Sequence, residues 1–109
     1  MLFRSGRELL RRLRCQAVLV TLGEDGMALF EKGKKMKQIP TVARDVFDVS
    51  GAGDAVVATF TTALAAGAEM GDAAMLSNVV AGMVVEKVGL ATVTARELSR
   101  RIEEGPWIP

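Results

Sequence analysis

Leu9, Leu10 and Leu13 recur at helical spacing with arginines between them, which predicts a short amphipathic helix over residues 6–14. Ala17-Val-Leu-Val-Thr-Leu22 follows as an apolar, β-branched run and reads as a fully buried strand. Gly23-Glu-Asp-Gly26 is turn chemistry, so Met27-Ala-Leu-Phe30 is the return strand of a hairpin. A second turn at Lys32-Gly-Lys-Lys35 leads into Met36–Ile39, whose alternation suits an edge strand stopped by Pro40. Thr41–Val49 is expected to be extended, with Val42, Val46 and Val49 spaced along it.

The remainder reads as helical. One helix is expected from Gly53 or Asp54 to Ala66, with Val56, Val57, Phe60 and Leu64 as its inner face and Gly67 as its stop. The next is expected after Asp72, running to Lys87 or Val88 and ended by Gly89. Met75, Leu76, Val79, Val80, Met83 and Val84 surround it, which places it between layers. Thr94-Ala-Arg-Glu97 is a capping box opening a last helix, with Leu98 and Ile102 inward and Gly105-Pro106 at its end. Strands followed by helices around one covered helix predict an α/β fold.

At 109 residues the chain is one domain or a piece of one. A closed monomer of this mass exposes about 5,800 Å². Half the residues are hydrophobic but only 5% are aromatic, so Ala, Val, Leu and Met must build the core. The mean hydropathy of +0.26 is high for a small soluble domain and implies that some apolar faces belong against a partner or a further part of the chain. A net charge of +1 argues against a nucleic-acid partner. Basic residues gather in the first fifteen positions, as the solvated face of a short helix. With no histidine there is no Ser-His-Asp or Cys-His catalysis and no His-ligated metal. The lone Cys15 forms no internal disulfide and suits a reducing compartment. The uncharged runs Ala55–Ala68 and Ala73–Val85 are too short to span a bilayer, and no signal-peptide run opens the chain. The expectation is a cytoplasmic protein without a membrane partner.

The chemistry concentrates in Asp48-Val-Ser-Gly-Ala-Gly-Asp54, where an extended segment ends, small residues follow and a helix starts. Such a turn offers the N–H groups of Gly51, Ala52 and Gly53 to an anion at a helix N-terminus. Glycine lets a phosphate approach the backbone. Asp54 then has two readings: it complements the helix dipole, or it takes the proton of a hydroxyl attacking the bound phosphate. No Gly-Lys-[Ser/Thr] closes the loop, so it is not a Walker A site. Nor does Val56 suit the third glycine of a dinucleotide fingerprint.

The stretch resembles the Asp-Thr-x-Gly-Ala-Gly-Asp signature of the ribokinase-like (PfkB-type) sugar kinases. The likeness continues in Val20-Thr-Leu-Gly-Glu-Asp-Gly26, Ser77-Asn78 and Lys87-Val-Gly89. Gly26–Phe30, Ile39–Phe47 and Ala91-Thr-Val-Thr94 are similar to the kinase domains of bifunctional heptose 7-phosphate kinases/ADP-heptose synthases. The resemblance implies a catalytic base at Asp54 and an anion hole at Gly51, Ala52 and Gly53. It implies that Asp48 lies near the sugar and a monovalent-cation loop. Thr21, Gly23, Gly26, Asn78 and Gly89 would form the ATP site, although Gly23 and Gly26 also suit a bare hairpin and Asn78 a satisfied core amide. Ala55 departs from the usual threonine. The expected substrates are ATP and a sugar phosphate, with heptose 7-phosphate, phosphorylated at its anomeric hydroxyl, preferred over another sugar or a nucleoside. Mg²⁺ and a monovalent cation such as K⁺ are the implied cofactors. The family's sugar-binding Gly-Gly motif, lid and Asn-x-x-Glu motif have no counterpart here. Residues 1–109 are therefore expected to be the C-terminal part of such a kinase domain, inactive alone, and either dimeric or paired with an N-terminal half. A non-catalytic nucleotide-binding module is the alternative.

Overall fold

The computed structural model describes residues 2–43, 46, 48–89 and 91–105. The elements are α1 (Leu2–Leu13), β1 (Ala17–Thr21), β2 (Met27–Glu31), β3 (Lys37–Ile39), α2 (Ala52–Ala65), α3 (Met70–Val85) and α4 (Ala95–Glu104). The strands form one antiparallel sheet in the order β1-β2-β3, with Leu19 opposite Leu29 and Met27 opposite Ile39.

The buried strand is β2, not β1. Met27, Ala28, Leu29 and Phe30 are all at most 2% exposed, whereas β1 is half-buried and ends on exposed Thr21. The run Ala17–Leu22 is as apolar as β2, but β2 has a neighbour on each side and helices on both faces. Ala28 and Phe30 point to Leu10 of α1, while Met27 and Leu29 join Ile39, Val56 and Ala74 on the α2–α3 side. A strand covered on both faces reads as a continuous apolar run.

Helix α1 turns a different face inward than its leucines suggest. Leu9 and Leu13 are exposed, and the buried residues are Gly6 and Leu10. The reason is steric: a Cβ at position 6 would stand 2.1 Å from the Phe30 ring, so glycine there lets the helix settle on the sheet. Arg7 then reaches over the end of β2 to the Glu31 carbonyl at 3.1 Å.

In α2, Val56 is buried and Phe60 packs on the core, but Val57 is exposed rather than inward. The helix closes as expected at Gly67, whose N–H donates to Leu64 while that of Ala68 reaches Ala63, both at 3.0 Å. Helix α3 begins at Met70 rather than after Asp72, because the Ala73 N–H already bonds the Glu69 carbonyl at 2.9 Å. It ends at Val85, and nine of its residues are buried. The Thr94–Glu97 capping box forms reciprocally, with both bonds at 3.1 Å. Beside half-buried Leu98 and Ile102, α4 also buries Arg101, paired with Glu86. The described residues of the 41–49 segment join no sheet ladder. Arg44, Asp45 and Phe47 of that segment, and Pro106 beyond α4, lie outside the described residues.

The surface is 7069 Å², about a fifth more than a closed monomer of this mass exposes. Helix α3 is not responsible, since α2 and the sheet cover it. Among the described residues the exposed large apolar side chains are Val46, Val49, Val57 and Val88, together with Phe3, Leu9 and Leu13 of α1.

Candidate active site

The glycine loop enters α2 through Gly51, which sits in the left-handed region at φ 79° as the residue before the first helical turn. Ala52 turns its N–H back to the Val49 carbonyl at 3.3 Å, and the Ala55 N–H closes the first turn on Gly51 at 3.0 Å. Among the described residues the N–H groups of Gly51, Gly53 and Asp54 have no partner, so they are the donors the loop offers to a ligand. Of the three residues expected to form an anion hole, Ala52 is thus engaged within the loop, and Asp54 contributes an N–H that the sequence reading did not include. The Asp54 side chain stands exposed in the first turn of α2, and Gly53 has no atom within 4 Å of where a Cβ would lie. The space beside the Gly53 Cα is therefore open.

Next to this helix start lies a cavity of about 560 Å³. It gathers three distant parts of the chain: Thr21, Gly23 and Gly26 from the β1–β2 hairpin, Ala52 and Gly53 from the loop, and Asn78 from α3. Asp48, Gly51, Asp54 and Gly89 do not line it. The wall is mainly apolar, with Met27, Val56, Ala81 and Val85 contributing, and Glu24 brings a carboxylate. Of the residues with unpaired N–H groups, Gly53 stands in this wall, so the chamber can take a ligand with both an apolar and an anionic part.

Asn78 is a bonded core amide that stands in the cavity wall. It is 3% exposed and lines the cavity, and its Nδ2 donates to the Pro40 carbonyl at 2.8 Å. That bond ties the segment after β3 to α3. Gly82 supports the same contact, because a Cβ there would come within 3.2 Å of the Ala43 nitrogen. Gly82, Thr41 and Ala43 escaped the sequence reading, although an isolated glycine inside an apolar helix is a packing signal.

Asp48 stands outside the cavity, at the start of the loop. Its carboxylate accepts the Ser50 N–H at 2.8 Å and the Gly89 N–H at 3.0 Å. Hydrogen bonds from Ser50, and then from the Gly89 N–H, hold its carboxyl below the usual carboxylate range. The Gly89 N–H thereby ties the turn after α3 to the loop. Among the described residues no three acidic or cysteine side chains converge as a metal site.

Comparison with known proteins decides the family. Residues 4–96 match the model of the pfkB family carbohydrate kinases. The chain belongs to that family. Among curated proteins, Bifunctional protein HldE of Hahella chejuensis is 46% identical over 103 residues, covering 94% of this chain and 22% of that protein. The Halorhodospira halophila protein of the same name is 48% identical with the same coverage. This pfkB-family chain therefore spans about a fifth of the length of the curated relatives it matches. Among solved structures, Arabidopsis thaliana ribokinase complexed with ribose and ATP superposes at a TM-score of 0.79 and 27% identity, over 89% of this chain and 32% of that one. Thermotoga maritima ribokinase reaches a TM-score of 0.86 at 24% identity, over 94% of this chain and 35% of its own. The fold is that of part of a ribokinase-like domain. Among the described residues no helix is long and apolar enough to cross a membrane.

Proposed function

We propose that the 109 residues are the C-terminal part of a kinase domain that moves the γ-phosphoryl group of ATP to a hydroxyl of a sugar phosphate. The carrying observation is one juxtaposition: unpaired N–H groups at Gly53 and Asp54, an exposed carboxylate on the same turn, and a mostly apolar cavity beside them. The adenine would occupy the cavity between the Thr21–Gly26 hairpin and Asn78, with its phosphates directed to the α2 N-terminus. Asp54 takes the proton of the attacking hydroxyl. The new O–P bond forms as the bond to ADP breaks, and the loop N–H groups meet the charge on the transferred group.

The relatives named HldE, together with Gly26–Phe30 and Ala91–Thr94, support heptose 7-phosphate phosphorylated at its anomeric hydroxyl, in the synthesis of ADP-heptose. Mg²⁺ enters this reading on the nucleotide's own phosphates. A monovalent cation such as K⁺ belongs on the Asp48 side of the loop, where the carboxylate keeps lone pairs that Ser50 and Gly89 do not use. The sugar-binding half would come from the remaining length of the protein. The surface in excess of a closed monomer, with exposed Val46, Val49 and Val57 around the loop, supports a face made to be covered.

The test replaces the matched segment of the Hahella chejuensis relative with this chain and compares that hybrid with its Asp54→Asn variant. Asparagine keeps the shape but takes no proton, so kcat should fall by about 10²–10⁴, or about 3–5 kcal/mol of barrier, with ATP affinity kept. A dipole role alone predicts near-normal turnover and a stability loss of about 0.3–1 kcal/mol. A variant that retains more than about a tenth of the wild-type kcat would sink the base assignment. ATP binding without transfer in the wild-type hybrid would favour a non-catalytic module instead.

A further inference from the structure

Glycine weakens a helix interior relative to alanine, yet Gly82 stands buried near the end of α3. What lies over it accounts for the choice. A Cβ at position 82 would come 3.2 Å from the Ala43 nitrogen, 3.4 Å from the Ala43 Cα and 3.5 Å from the Val42 carbonyl carbon. All three are backbone atoms, so the chain after β3 crosses α3 main chain against main chain. Thr41 and Ala43 of that chain stand in the cavity wall, and Asn78, Ala81, Gly82 and Val85 of α3 stand in it as well. The four α3 positions recur at helical spacing and so share one face.

Hydrogen bonds alone leave this crossing loose. Among the described residues, Asn78 Nδ2 ties the chain to α3 through the Pro40 carbonyl at 2.8 Å, and the Asp48 N–H ties it through the Val85 carbonyl at 3.2 Å. The Ala43 N–H donates to Thr41 Oγ1 at 3.3 Å, a bond that stays within the segment. Asn78 and Val85 are seven positions apart, about 10 Å along the helix axis. The eight residues from Pro40 to Asp48 reach about 26–29 Å when extended. The two ties therefore admit many paths between them. Close packing on Gly82 selects the path of Val42 and Ala43.

We propose that Gly82 is the positioning residue of the cavity: its missing side chain seats Val42 and Ala43 on α3, and that seat fixes where the Thr41–Ala43 wall stands. The consequence for ATP rests on the kinase reading, whereas the seat itself does not. Carbon contacts relax at about 3.5–4.0 Å, so Gly82→Ala lifts the segment by a few tenths of an ångström and Gly82→Val by on the order of 1 Å. The loop that carries Asp54 is not part of this contact.

Two measurements test it. In the 109-residue chain, proton NMR should show a through-space contact between a Gly82 Hα and the Ala43 N–H, and its absence overturns the seat. In the hybrid kinase, titration calorimetry with ATP should show Kd raised about tenfold in Gly82→Ala and up to about 200-fold in Gly82→Val, the range for one misfitting methyl group in an apolar pocket. The kcat at saturating ATP should stay within threefold. Gly71→Ala makes the same change elsewhere in α3, outside this cavity, where a Cβ would meet Lys37 Nζ at an ordinary 3.9 Å. Its Kd should match that of wild type. A Kd within threefold of wild type in Gly82→Ala overturns the positioning role, whatever that variant's Tm. An equal rise in Gly71→Ala overturns it too, as does a kcat that falls as far as Kd rises. If Gly82→Val does not fold, the Gly82→Ala and Gly71→Ala pair still decides. A wild-type hybrid that binds ATP without transferring phosphate counts against the kinase reading alone. One that binds no ATP overturns the role in ATP binding, and the proton contact still decides the seat.

Discussion

Gly23 and Gly26 frame the same hairpin loop and face the same cavity, but the structure asks different things of them. At Gly26, φ is 84° and a Cβ would stand 2.0 Å from the Ile39 carbonyl oxygen and 2.8 Å from two Pro40 atoms. At Gly23, φ is 59° and nothing lies within 4 Å. Gly26→Ala therefore carries a backbone cost of about 1–3 kcal/mol for a conformation side chains avoid and a packing cost of about 1–3 kcal/mol. Backbone atoms cannot swing aside as a side-chain tip can. The sum is about 2–6 kcal/mol, against about 1–2 kcal/mol for Gly23→Ala from backbone strain alone. With an unfolding entropy near 2.1 cal/mol/K per residue, a chain of 109 residues loses about 4 °C in Tm per kcal/mol. Gly26→Ala should then melt about 9–26 °C below wild type and Gly23→Ala about 4–9 °C below, followed by far-UV circular dichroism. The larger effect has a local route: moving Ile39 and Pro40 disturbs the Met27–Ile39 pair and the carbonyl that holds Asn78. If the two variants melt within about 3 °C of one another, less than 1 kcal/mol separates them and the close approach of Gly26 to the end of β3 is refuted.

Gly6→Ala sets helix propensity, about 1 kcal/mol in favour of alanine, against overpacking of a fully buried Phe30 ring 2.1–2.5 Å away. Overpacking should win, with a net loss of up to about 2 kcal/mol in urea denaturation, and a gain in stability would refute the α1–sheet packing. The carboxyls of Glu8 (through Arg11 and Arg12), Asp48 (through Ser50 and Gly89) and Glu97 (through Lys87 and Thr94) all lie below their ordinary values of 4.5, 3.8 and 4.5. The unfolded chain therefore binds more protons in this range, so their contribution is complete above about pH 5 and falls away as pH drops through the lowered values. Melting from about pH 7 to about pH 2 should show that loss, with a smaller slope in Asp48→Asn/Glu97→Gln, and an equal slope would count against both carboxylates. Thr94→Ala should cost about 0.5–2 kcal/mol by removing the bond from the Glu97 N–H. A change below about 0.3 kcal/mol would show that the capping box is not holding α4.

Local chemistry was legible in the residue order. The hairpin around Gly23–Gly26, the stop at Gly67, the capping box at Thr94 and the glycine loop into α2 all depend on a few neighbouring residues. Position within the whole depends on what lies across the core. Ala17–Leu22 and Met27–Phe30 are equally apolar, and only strand order makes one an edge and the other the centre. Leucine spacing pointed α1 inward through Leu9, Leu10 and Leu13, whereas the room left by Gly6 beside Phe30 rotated Leu9 and Leu13 to the surface. Asp48 shows the same division at the site. Its bond to Ser50 is local, whereas its second oxygen finds Gly89 only because α3 returns the chain to the loop. Short-range hydrogen-bond geometry is written in adjacent residues; long-range partners are chosen by packing, which no local pattern contains.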